Sequence, residues 1–369
     1  MTKKALIFTK RVLPRSNTFV AAQGTNLPSI KPVFIGFTKD SSGIDLIKDY
    51  STCVLEEYDK HPTWSKFLLE GLGYLSPNWH SALAAQNAQL IHAHFGKGGY
   101  YCATLAKKLQ LPLLTTFHGS DITQQDKFSY GTRHRKVVFE HSEKILAVSE
   151  FIKNKLIERG CPEHKIIQHY IGIDNNYFSP SGEKSEQPTI LFVGRLIEQK
   201  GCQYLLAAMK TINKVLPDAR LIIAGDGTYR NKLTAMAANL HNVTFLGAQS
   251  TSQVKALMAQ AWLVCLPSIV MKRGNEEGLS TVCLEAQAMG TPVVGFSTGG
   301  VKEAVNHQNT GILVPEKDTP ALSDALQLLL SSDSLRNQLA KQGINYIDQY
   351  FNVIKQGEKL EAIYQEMSQ

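Results

Sequence analysis

No stretch of the chain approaches the roughly 18 consecutive apolar residues that a membrane-spanning helix needs, so no segment reads as a span. The apolar run after the first lysines, Ala5–Phe8, is too short for the core of a signal peptide, which reads it instead as a first strand. The six cysteines, at 53, 102, 161, 202, 265 and 283, include no Cys-x-x-Cys pair. They fit neither a zinc site nor a disulfide framework, and a cytoplasmic compartment is expected. No Gly-x-Gly-x-x-Gly follows the first strand of either half, which counts against a dinucleotide-dependent dehydrogenase. Low complexity is also absent: 43% of the 369 residues are hydrophobic and 19% charged, the composition of a folded chain with a real core. That length fits two large domains.

What the chain has is an uneven positive charge. Residues 1–174 hold 22 Lys and Arg against 15 Asp and Glu, while the remaining residues hold 17 of each, so the whole net charge of +7 sits in the first half. Such asymmetry fits an anionic partner: a phospholipid surface, a polyphosphate-linked acceptor or nucleic acid. A generic basic surface kept for solubility is the plainer reading.

Short β-branched runs bounded by turn residues recur at 5–8, 33–36, 90–93, 113–117 and 144–148, then at 189–193, 219–224, 243–246, 263–266, 292–295 and 311–314. Amphipathic helix-length segments lie between them, among them 99–109, 202–215 and 323–342. Alternating strands and helices predict parallel sheets covered on both faces. The Asn-, Ser-, Pro- and Gly-rich stretch 175–188 reads as a linker between a domain over 1–174 and another over 189–350. Two doubly wound domains facing a central cleft would hold ligand at the C-terminal ends of their strands.

Four segments carry chemistry. The second half opens with Ile-Leu-Phe-Val-Gly194, followed by Arg195 and, one loop later, Lys200-Gly201 before a helix. Two cations flanking a helix start suit a diphosphate, although two solvated charges on a loop would look the same. Gly225-Asp226-Gly227 follows a strand and reads equally as a tight turn with a capping Asp226. Glu277 stands just before a helix expected over 280–289, and Glu285 lies within that helix. Eight helical steps span roughly 12 Å, which suits hydroxyls at two ends of one ligand better than one shared centre. The free amides of Leu279, Ser280 and Thr281 add an anion contact. A helix Glu facing inward needs a partner, so Glu285 is expected to meet a ligand or a base. In the first half, His118 ends a strand within Phe117-His118-Gly119-Ser120-Asp121, where a core or capping histidine is the plainer alternative.

These pieces together resemble the group 1 retaining glycosyltransferases of GT-B architecture that act in exopolysaccharide, capsule and lipopolysaccharide assembly. The matching segments are GRLIEQKG (194–201), GDG (225–227), FLG (245–247), EGLSTVCLEAQAMGTPVVG (277–295), GGVKEAV (299–305) and GILVP (311–315), with HAHFG (92–96), TFHGSD (116–121) and AVSEFIK (147–153) in the first half. The resemblance implies a donor domain in the second half that binds a UDP- or GDP-linked sugar, and an acceptor domain in the first. It also implies a C-terminal helix, 351–369, that returns to the first domain.

By the same resemblance, Arg195 and Lys200, with Gly194 beside them, hold the diphosphate and stabilise the leaving nucleotide. Glu285 binds the ribose, and Glu277 the donor sugar, beside Gly278. His118 lies near donor sugar and acceptor, with Asp121 next to it. Arg15 and Asn17 lie on the acceptor side, in a loop where the family's usual glycine pair is missing and Asn17 stands in for Glu. No Asp-x-Asp occurs to hold a divalent cation, so no cofactor or metal is expected, and the resemblance leaves nucleic acid aside as a partner. A GT-B sugar-nucleotide epimerase, a phosphorylase and an inert anion-binding relative are the rival readings. Lys60–Leu75, with Trp64, Phe67, Leu68 and Leu72, reads either as an interfacial surface or as a core-facing stripe, and Arg133, Arg135 and Lys136 form a basic stretch in the same half. Peripheral attachment to the inner face of the cytoplasmic membrane follows if that surface is real.

Overall fold

The computed structural model describes residues 3–12, 18–40, 43–125 and 131–368. The chain forms two compact units, Met1–Gly172 with Val353–Gln369, and Ile173–Asn352. The 175–188 stretch lies in the second unit. The indole of Trp262 donates to the Ser185 carbonyl at 2.7 Å, and Lys184 donates to Thr291 Oγ1 at 2.9 Å, so this segment is tied down rather than loose.

The first unit holds β1 (Lys4–Phe8), β2 (Arg11–Val12), β3 (Lys31–Gly36), β4 (Thr38–Lys39), β5 (Ser51–Val54), β6 (Leu90–His94), β7 (Leu113–Phe117), β8 (Lys144–Ala147) and β9 (Ile166–Gln168). Seven of these form one parallel sheet in the order β5-β3-β1-β6-β7-β8-β9, and β2 pairs with β4 outside it. Alternation along β1 explains its two buried faces. Leu6 and Phe8 pack with Trp79, Tyr101 and Leu105, whereas Ala5 and Ile7 pack with Val20, Leu360 and Tyr364. The last two come from the C-terminal helix Val353–Met367. Glu361 on that helix accepts from the backbone amides of Ser29 at 2.8 Å and Ile30 at 3.2 Å, which fixes its position.

The second unit holds β10 (Thr189–Val193), β11 (Arg220–Ala224), β12 (Val243–Gly247), β13 (Leu263–Leu266), β14 (Val293–Phe296) and β15 (Gly311–Val314), parallel throughout in the order β12-β11-β10-β13-β14-β15. Each sheet therefore runs outward one way from its first strand and then restarts on the other side. Ligands gather at that reversal, beyond the C-terminal ends of β1 and β6 in one unit and of β10 and β13 in the other.

Two expectations need correction. The single helix expected over 323–342 is two, Thr319–Ser331 and Asp333–Tyr350, because Ser332 turns extended and its side chain caps the Leu335 amide. Sheet edges β5 and β9 were not expected at all, since their short polar-flanked sequences, STCV and IIQ, carry little strand signal.

Candidate active site

In the second unit, β10 leads into a loop that carries Gly194, Arg195 and Lys200 before the helix Cys202–Val215. Two glycines let this loop sit close to its neighbours. Gly201 has φ +69°, and a Cβ there would lie 1.7 Å from the Pro267 carbonyl oxygen at the end of β13. A Cβ on Gly225 would lie 1.8 Å from the Gly194 carbonyl oxygen. The Leu196 amide donates to the Asp226 carbonyl at 2.8 Å, which knits the two glycine-bearing loops together. Asp226 itself is exposed; its carboxylate accepts from the Gly227 amide and pairs with Arg230. It caps no helix.

Arg195 is exposed at the rim. Lys200 Nζ lies 2.7 Å from Glu277 Oε1, with both side chains largely buried. The structure thus brings together two residues that the sequence assigned to different ends of a ligand. Ser280 caps the helix Thr281–Ala288 through the Cys283 amide, so Gly278 and Leu279 belong to the preceding loop and Thr281 is the first helical residue. Only Glu285 of the two carboxylates is helical, and the eight-step helical spacing does not apply between them.

Glu285 is half-buried, and its carboxylate has no hydrogen bond or ion pair with any described residue. Burial pushes this carboxyl up to about 8. Burial likewise pushes the Cys283 thiol up to about 12, with Glu277, Lys200 and Glu285 all near enough to act on it. A shifted carboxyl without a partner, beside an ion pair at a sheet reversal, marks a binding site. The loop 268–276 is pinned there by Glu316, whose Oε1 accepts from the Val270 amide at 3.1 Å.

In the first unit, His118 follows β7. Its Nε2 lies 3.1 Å from His94 Nδ1 and the two rings stack at 5.3 Å. His118 Nδ1 is buried with no partner among the described residues. Phe19 and Phe95 pack on the ring at 4.8 and 4.6 Å. Phe95 holds φ +67°, a conformation that costs energy for a residue with a side chain and recurs at functional sites. Deeper still, His92 bonds Tyr364 Oη and Thr116 Oγ1, both at 2.6 Å. Burial holds all three imidazoles below the ordinary histidine range, His94 at about 3. His118 is therefore neutral.

Asp121 accepts from the amides of Gly119 at 2.7 Å, Gly96 at 3.1 Å and His118 at 3.2 Å. Its carboxylate closes the turn that carries His118. Arg15 and Asn17 lie outside the described residues. Arg135 is 4% exposed, so the expected basic stretch 133–136 does not present it to solvent. His94 was not singled out from sequence. Its signal was its spacing of two from His92 on a fully buried strand, which places both imidazoles on one face.

Comparison with known proteins fits this geometry. The family model for group 1 glycosyl transferases matches residues 174–346, and that for glycosyltransferase family 4 matches residues 50–177. WcaL of Escherichia coli strain K12, named as a colanic acid biosynthesis glycosyltransferase, is 30% identical over 74% of this chain and 70% of its own length. The amylovoran biosynthesis glycosyltransferase AmsK of Erwinia amylovora is 32% identical over 66% of this chain and 61% of its own length. Among solved structures, Anabaena HepE in complex with UDP and glucose superimposes with a TM-score of 0.80 at 18% identity, over 99% of this chain and 100% of that one. Sucrose-phosphate synthase of Thermosynechococcus elongatus gives a TM-score of 0.77 at 20% identity, over 100% and 99%. These two likenesses establish the fold as GT-B. On sequence and fold together, the chain belongs to the group 1 glycosyltransferases.

Proposed function

We infer that the protein transfers a sugar, with retention and without a metal, from a nucleotide-diphosphate sugar to a glycan or lipid-linked acceptor in surface polysaccharide assembly. The observation that carries this reading is the arrangement near Cys283: the Lys200–Glu277 ion pair and the unpartnered Glu285, with Arg195 exposed on the loop that carries Lys200. In the free protein, Lys200 and Glu277 neutralise each other. A diphosphate competes for the Lys200 ammonium and releases the Glu277 carboxylate to accept from sugar hydroxyls. Glu285, already unpartnered, meets the ribose diol.

The breaking bond joins the anomeric carbon to the diphosphate, and its electron pair leaves with the nucleotide. Arg195, Lys200 and the free amides at 279–281 stabilise that charge, which is the task a metal would otherwise perform. The acceptor hydroxyl attacks from the face the nucleotide is leaving and passes its proton to the departing phosphate oxygen, so atoms and charge balance without an enzymic nucleophile. We assign neutral His118, whose turn Asp121 holds, to the acceptor side of the reaction.

Support for the polysaccharide setting comes from WcaL and AmsK, and for a UDP-linked donor from HepE. No helix among the described residues is long and apolar enough to cross a membrane. We place the acceptor on the basic first unit, at an anionic membrane surface. The test is a thermal-shift screen of nucleotide sugars, followed by NMR of the product formed from the best donor. A glycosylated product that keeps the donor's anomeric configuration, made equally well in excess chelator, is expected. An epimerised donor with no glycosylated product, or inversion at the anomeric carbon, would overturn the reading.

A further inference from the structure

The first unit carries a cluster of lysines that the donor chemistry does not use. Lys10 follows β1, and its carbonyl accepts from the Phe37 amide at 3.1 Å. Lys66 Nζ stands 5.9 Å from the Phe37 ring centroid. Phe37 packs edge-on against Tyr101 with centroids 4.9 Å apart, and Lys97 Nζ stands 5.8 Å from the Tyr101 ring. Two ammonium groups, of Lys66 and Lys97, thus stand over two adjoining rings, with the Lys10 backbone bonded to Phe37 beside them. Lys10 and Lys97 both repel the charge on Lys66. Glu70 brings one carboxylate, 3.3 Å from Lys97 and 2.9 Å from Tyr101 Oη. One carboxylate among three cations leaves an excess of positive charge. Burial first, and then Lys10, hold Lys66 below the ordinary lysine value, which an arriving anion would relieve.

The position matters as much as the charge. Lys10 leaves β1 and Lys97 opens the helix Gly96–Leu109 after β6, so both flank the reversal of strand order in this sheet. Lys66 and Glu70 lie on the helix Pro62–Leu72, which buries Ser65 and Leu69 on one face. Its opposite face is apolar and open: Trp64 is 63% exposed and Phe67 64%, in contact at 5.7 Å. Phe67 stands three residues from Glu70 and next to Lys66, so the apolar face borders the lysines directly.

We propose that Lys10, Lys66 and Lys97 bind the phosphate or diphosphate head of an amphiphile whose apolar tail lies along Trp64 and Phe67. This deepens the acceptor half of the function inferred above and rests on it. Charge selects the head, and the exposed aromatic pair selects an interfacial tail.

Calorimetry on the full chain tests it, with UDP added first to saturate the donor unit. The probes are farnesyl diphosphate and inorganic pyrophosphate. Farnesyl diphosphate is expected to bind at least about tenfold tighter than pyrophosphate. Joint Lys10→Gln, Lys66→Gln and Lys97→Gln replacement should weaken it by about 100-fold, since each cation near an anionic group contributes about fivefold. Trp64→Ser with Phe67→Ser should reduce its affinity to that of pyrophosphate. Glu70→Gln removes the competing carboxylate and should tighten binding, a gain that misfolding cannot imitate. Equal affinity for the two probes would show a site for free anions only and overturn the proposal. An unchanged triple lysine variant, or an unchanged Glu70→Gln, would overturn it too. The UDP titration reports separately on the donor reading, because farnesyl diphosphate binding that responds to the lysines stands whether or not UDP binds.

Discussion

At the residue scale, Glu277 and Glu285 show how environment gives one side chain type two states. Glu277 is held by Lys200 at 2.7 Å. Glu285 has no partner, and burial pushes it up to about 8. The residue types and their positions were readable in the sequence, but the Lys200–Glu277 pair was not, because a loop of eleven residues, 268–278, decides where Glu277 returns. Likewise His118 was readable from its motif, whereas the His94 contact needed the register of β6 against β7, which pairs His94 with Thr116, two residues before His118. Glu285→Ala should weaken UDP itself, and Glu277→Ala should chiefly weaken a UDP-sugar. Calorimetry with nucleotide alone and with the intact donor separates the two. Equal losses of UDP affinity in both variants would mean the assignment is wrong.

At the element scale, strands were legible where they are central. β7, β10 and β13 occupy the expected residues because buried parallel strands are written as continuous apolar runs, and the edge strand β15 is legible for the same reason. The edge strands β5 and β9 were missed because they are only four and three residues long and mix polar with apolar side chains. The break at Ser332 was missed because apolar periodicity continues on both sides of it. Between elements, Gly201 is the most exposed to test. Its φ of +69° and the Pro267 carbonyl leave no room for a methyl group. Gly201→Ala should destabilise the second unit by about 1 kcal/mol from the dihedral alone and by more from the clash. Nucleotide affinity should fall with it, since Lys200 precedes this turn. Thermal melting and UDP binding both read the change, and a variant that melts and binds like the parent would contradict the close approach.

At the scale of the whole molecule, the two units carry opposite pH dependence. His92, His94, His118 and His169 all lie in the first unit and are held below the ordinary histidine range, His94 at about 3 and His169 at about 4. When that unit unfolds below about pH 6.5 its histidines take up protons that the folded form refuses. Its stability should therefore fall on acidification, by up to about 1.4 kcal/mol per pH unit for each group. Glu285 acts the other way. Its folded value lies above its unfolded one, so the second unit loses stability as pH rises from about 4.5 to 8, and Glu285→Gln should remove that loss. Hydrogen exchange resolved by unit at pH 5 and pH 8 checks both slopes, and a first unit equally stable at both values would refute the histidine argument. The concentration of charge in residues 1–174 was plain in the sequence, yet which lysines converge was not, because Lys66 and Lys97 come together over the Phe37 and Tyr101 rings, residues distant from them in sequence or hidden in the core.

The central claim is that Arg195 and Lys200 stabilise a departing nucleotide diphosphate in place of a metal. Turnover of the best nucleotide-sugar donor in excess chelator, compared among the parent, Arg195→Ala and Lys200→Ala, tests it most directly. The parent should keep its rate. Each variant should remain folded and lose about 10²–10³-fold in kcat, the usual cost of one preorganised charge-stabilising group. Losses below about fivefold in both variants, or a parent rate that vanishes in chelator and returns with Mg²⁺ or Mn²⁺, would contradict the account.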